Sequence, residues 1–104
     1  MVFQKITHTV KDFDKWSKGY KDNGSFRKSY SCVGTKVYTE NGNKNRVTAI
    51  MEWSDKGRME QFGQSPELKE AMKHAGVTSP PDMNFSETND FDLSNFELQF
   101  ETEF

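Results

Sequence analysis

Cysteine occurs once, at Cys32, so no disulfide can form within the chain. No stretch approaches the ~20 apolar residues needed to span a bilayer. The start, MVFQKITHTV, lacks the apolar run of a signal peptide. A cytoplasmic protein without a membrane partner is therefore expected. Leu and Ile are scarce, at three and two residues in 104. Lys and Arg are missing altogether from residues 74–104, which hold seven carboxylates. All 14 basic residues lie in residues 1–73 beside nine carboxylates. The net charge of −2 gives no electrostatic case for a nucleic-acid partner.

Several motifs are also missing. There is no phosphate-binding glycine loop, no nucleophile elbow and no aromatic RNA-binding signature. His8, His74 and Cys32 lack the spacing of a zinc site. No cofactor or metal is expected on this basis, although one histidine is enough to hold a haem and that alternative stays open.

What the chain does have is phenylalanine, nine in all. Each aromatic side chain buries about 150–250 Å². A lean core can therefore be built from rings, and part of its burial is expected to come from a partner copy. The acidic end reads as a solvated tail strand, or as a segment that docks on the basic surface of its own chain or a neighbour.

Hydrophobic spacing gives the order of elements. Val2–Thr9 alternates as a strand, with Gln4, Ile6 and His8 on one face. Asp12 can cap a helix carrying Phe13, Trp16 and Tyr20 on one side, which Asn23-Gly24 interrupts and Ser25 can restart. Val33–Thr39 and Arg46–Trp53 are strands joined by a turn at Glu40–Asn43. Both faces of the second carry apolar groups, so a second copy of the sheet is expected to cover the side without helices. Asp55 caps the next helix, with Met59 and Phe62 pointing inward. Ser65-Pro66 restarts it, with Leu68, Ala71, Met72 and Ala75 as a buried stripe. Gly76 and Pro80-Pro81 end it. Met83–Glu87 is a short strand. Phe96–Phe104 alternates, with Phe96, Leu98, Phe100 and Phe104 on one greasy face that must add to a sheet edge.

The fold class is α+β, a ferredoxin-like βαββαβ order with an antiparallel sheet and an extra C-terminal strand. Residues 1–88 read as the ferredoxin-like domain and 89–104 as a C-terminal extension. Asp12-Phe13-Asp14-Lys15-Trp16, Val37-Tyr38, Val47–Trp53 and the run Ser65–Met72 with Ala75-Gly76-Val77 and Pro80-Pro81 carry a resemblance. Over residues 2–87 the chain resembles small bacterial proteins of the dimeric α+β barrel superfamily, the antibiotic-biosynthesis-monooxygenase-like or cyclase-like proteins. The resemblance implies a homodimer with two sheets face to face, and a small-molecule cleft between sheet and helices. It carries no catalytic residue over.

Trp16, Tyr20, Phe62 and Trp53 are expected between helices and sheet, as core or as the lining of a cleft for a small aromatic ligand. Arg27 and Tyr38 are the candidates for its polar contacts. His74 is read as a helix-end residue or as a pocket residue. Glu52, between apolar neighbours, is a candidate base if buried. The functional expectation is a small-molecule-binding protein. The alternatives are a cofactor-independent monooxygenase or cyclase-like enzyme on an aromatic or polyketide-like substrate, and a structural or interaction protein.

Overall fold

The structure is a computed structural model that describes all residues, Met1–Phe104. The elements run β1 (Val2–Thr9), α1 (Phe13–Asp22), α2 (Gly24–Ser29), β2 (Cys32–Glu40), β3 (Asn43–Trp53), α3 (Lys56–Gly63), α4 (Pro66–His74), β4 (Asp82–Ser86) and β5 (Phe96–Glu103). They form one five-stranded antiparallel sheet in the order β4-β1-β3-β2-β5. This is the ferredoxin-like arrangement with β5 added beyond β2. Within one chain the sheet stays open and does not close into a barrel.

Local chemistry sets the element ends. Asp12 accepts hydrogen bonds from the backbone N–H groups of Asp14 and Lys15 and starts α1. Asp55 caps α3 through Arg58 N–H, and Ser65 caps α4 through Leu68 N–H with Pro66 in the first turn. Asn23, rather than Ser25, stands at the N-cap of α2. Gly42 takes φ of +83° in the β2–β3 turn, where a side chain would be strained. No helix is long and apolar enough to cross a membrane.

All four helices lie on one face of the sheet. There β3 presents Val47, Ala49, Met51 and Trp53, and β1 presents Gln4, Ile6 and His8. One core cluster joins Val10, Phe13 and Trp16 to Val37, Val47 and Ala49. A second joins Cys32, Met51 and Trp53 to Met59 and Phe62.

The other face is already covered within one chain. Thr48 and Ile50 point away from the helices, yet they are only 0% and 3% exposed. Their cover comes from the chain itself. β4 and β5 sit at opposite edges, so their connection must cross the sheet, and the helices occupy the far side. The Phe91 ring lies 5.7 Å from Lys5 Nζ, Asn89 shares a surface hollow with Phe3, Ile50 and Glu52, and Asn95 accepts a bond from Asn41 N–H. Residues 87–95 thus cross the face on which a second sheet is expected.

β5 joins the sheet of its own subunit, but not with one greasy face. A bulge shifts its register, so that Val37 faces Phe100 while Tyr38 faces Leu98. One extra residue inverts the alternation. Phe100 and Phe104 therefore reach the two core clusters, while Leu98 is left 47% exposed on the other side. The acidic end makes one loose ion pair, Lys36–Glu101 at 3.9 Å. Its aromatic rings also meet lysines, with Lys21 Nζ 4.3 Å from the centre of Phe100. The radius of gyration of 12.7 Å matches the ~13 Å of about 100 residues folded on one core, so this end is folded back and not extended.

Candidate functional site

A cavity of about 270 Å³ lies between the helices and the sheet. The alternation of β1 and β3 supplies its floor, with Ile6 and His8 from one strand and Ala49 and Met51 from the other. Trp16 and Tyr20 come from successive turns of α1, Phe26 and Arg27 from α2, and Phe62 from α3. The roof is α4. Its stripe of Leu68, Ala71, Met72 and Ala75 faces the sheet as the spacing predicts, but none of the four is fully buried. All four line the cavity.

The rings on the wall form a connected set. Trp16 and Tyr20 stack at 4.8 Å between centroids, and the Arg27 guanidinium lies 3.7 Å from the Tyr20 ring centre. The Tyr20 hydroxyl is 2.6 Å from the Thr35 hydroxyl. Burial pushes the Tyr20 phenol up, more than the nearby Arg27 charge and the Thr35 bond pull it down, so it stays protonated at neutral pH. His8 meets Trp16 edge-on at 5.6 Å. Burial above all, and then the Arg46 charge, pushes its pKa down to about 4. The ring is neutral at pH 7.

Two buried side-chain atoms in the molecule lack a hydrogen-bond partner, His8 Nδ1 and Arg27 Nε. Both residues stand on this one cavity. His8 and Arg27 are 6% and 4% exposed. Buried polar atoms are nearly always paired, so these two are exceptions.

The structure separates the candidates named from sequence. Trp16, Tyr20, Arg27 and Phe62 come together on the cavity wall. Trp53 does not reach it. It is sealed behind Phe62, 5.1 Å away between ring centres, and donates from Nε1 to Gln4 Oε1 at 3.1 Å. Its role is to hold two wall residues in place. Tyr38 stands on the opposite face beside Leu98, because strand alternation puts it out of phase with the buried Val37. His74 is outside as well, paired at 3.0 Å with Glu70 across one helical turn. It borders an exterior groove of about 760 Å³ between α1 and α4. Lys18 pairs with Asp22 and His74 with Glu70 along it, and its other charged residues, Lys15 and Glu67, are exposed to solvent. Glu52 also lies on the far face, opposite Phe3 and Gly34, and does not enter the cavity.

The sequence reading passed over His8 as a site residue. The signal was the strand alternation that set it on one face with Gln4 and Ile6. Only the packing showed that this face looks into open space. No three His, Cys, Asp or Glu side chains come together as a metal site would require.

No protein-family model matches the sequence, and no curated protein matches it. Solved structures match its shape. SnoaB from Streptomyces nogalater, described as a cofactor-independent oxygenase, superposes with a TM-score of 0.70 at 14% identity, over 86% of this chain and 94% of that one. An antibiotic biosynthesis monooxygenase superposes at 0.67 and 11% identity, over 85% and 98%. An uncharacterized NIPSNAP domain protein from Burkholderia xenovorans superposes at 0.60 and 15% identity, over 88% and 98%. Such low identities speak for shape alone. The chain thus has the ferredoxin-like α+β fold seen in these antibiotic-biosynthesis-monooxygenase-like structures.

Proposed function

We propose that the protein binds a small aromatic molecule in the cavity under α4. The observation that carries this is the unfilled space itself, walled by Trp16, Tyr20, Phe26, Phe62, Met51 and Leu68. An apolar cavity of ~150 Å³ accepts benzene, so this one suits about two fused rings. Trp16 and Tyr20 give a flat stacking surface. Titration of 2-naphthalenemethanol into the full chain is expected to quench tryptophan fluorescence and saturate. An unsaturated, linear response with no heat of binding by calorimetry would overturn the reading.

A second reading is a cofactor-independent monooxygenase or cyclase-like enzyme acting on an aromatic or polyketide-like substrate. The observation that favours it is an imidazole, His8, on the cavity wall; burial makes it a weak base, suited only to a strongly acidic substrate proton. Likeness in shape to SnoaB supports it only as analogy. On this reading, 1,3-dihydroxynaphthalene causes oxygen uptake that His8→Phe removes. No uptake above the buffer rate would sink it.

We also infer that the chain pairs with a second copy in a reducing, cytoplasmic setting. Met83, Phe85 and Leu98 are large apolar side chains left half exposed at the two edges of the sheet. Cys32 is a buried free thiol, and burial pushes its pKa up, which keeps it unreactive.

A further inference from the structure

Arg27 is where the cavity and the charge of the chain do not match. Its guanidinium is out of water and pairs with none of the carboxylates. The Tyr20 ring is its one electrostatic partner, and Nε donates to nothing. A buried charge without a counter-charge is costly, and a cation–π contact offsets only part of that cost. The lining contains a second cation, Lys69, and no Asp or Glu. His8 Nδ1 adds an unpartnered polar atom to the same wall.

We propose that the ligand is an aromatic carboxylate. Its carboxylate pairs with the Arg27 guanidinium, and its ring system stacks in the aromatic cleft. A guanidinium without a carboxylate partner in its own chain is the side chain best matched to a ligand carboxylate. This inference rests on the aromatic-ligand reading and adds the charge.

The test compares 2-naphthoate with its neutral counterpart 2-naphthalenemethanol, by calorimetry and tryptophan quenching, on the full chain. The carboxylate is expected to bind about tenfold more tightly or better, the scale of a charge-assisted pair over a neutral contact. Arg27→Met is expected to remove that preference by weakening naphthoate, with the alcohol little changed. The melting temperature of the ligand-free Arg27→Met chain should not fall, since an unpaired buried charge has been removed. Equal affinities for the two probes in the unaltered chain would overturn the carboxylate and leave the aromatic cleft standing. A preference that persists in Arg27→Met would overturn the role of Arg27. Failure of both probes to bind would overturn the cleft as well. The comparison in the unaltered chain needs no variant, so a misfolded Arg27→Met does not spoil it.

Discussion

A chain ended after Thr88 is expected to lose its cooperative thermal transition. Three losses coincide. β2 loses its outer neighbour β5, and its backbone groups become a bare edge. Phe100 and Phe104 leave the two core clusters. Thr48 and Ile50, buried under residues 87–95, meet water. Emptying one fully buried Phe site costs about 3–5 kcal/mol, and these two rings are partly buried. Together with the uncovered face, the loss is on the order of 5 kcal/mol, which is comparable with the whole stability of a small domain. Circular dichroism melts of the full and shortened chains check this. A melting point lowered by less than about 5 °C would show that residues 89–104 are an accessory to a fold complete without them. A native mass spectrum of the full chain bears on pairing at the same time. A species at twice the 12.1 kDa chain mass is expected, and a spectrum of single chains alone at micromolar concentration would end the pairing proposal.

The second large effect is a loss of stability in mild acid. His8 has a folded pKa of about 4, against about 6.5 in an unfolded chain. Between these values the unfolded chain binds a proton that the folded one refuses. Acid therefore favours unfolding across this window, and stability falls as the pH drops from about 6.5 to about 4. Below about 4 both states are protonated and the slope from this group ends. The full difference is on the order of 3 kcal/mol. The causes are burial against Trp16 and then the positive charge of Arg46. Urea unfolding at a series of pH values would measure it, with His8→Gln as the reference, because protonation of carboxylates is common to both chains. Parallel stability curves for the two would show that His8 does not titrate in this range.

Much of the architecture was legible in the residues. Asp12, Asp55 and Ser65 start helices because each places a short side-chain oxygen over free N–H groups. The 3.6-residue spacing of Phe13, Trp16 and Tyr20 set one helix face. The half-turn alternation of β1 and β3 sorted their side chains between the two faces of the sheet. Trp16, Tyr20 and Phe62 could be named from that periodicity as core or cleft residues, and Arg27 as a polar contact of the cleft that the resemblance implies. It could not separate them from Trp53, because a face says which way a side chain points and not what stands in front of it. The bulge in β5 was hidden for a related reason. Phe96, Leu98, Phe100 and Phe104 alternate cleanly in the chain, and pairing with β2 breaks the phase.

By itself, then, the sequence determined the order of the elements, their ends and the faces of its strands and helices, because these depend on neighbours a few residues apart. Tertiary structure alone decided that α4 stands off the sheet over a cavity, that residues 87–95 cover the opposite face, and that Arg27 and His8 are buried without partners. Each of these depends on the distance between surfaces brought together from remote parts of the chain, and no local pattern encodes that distance.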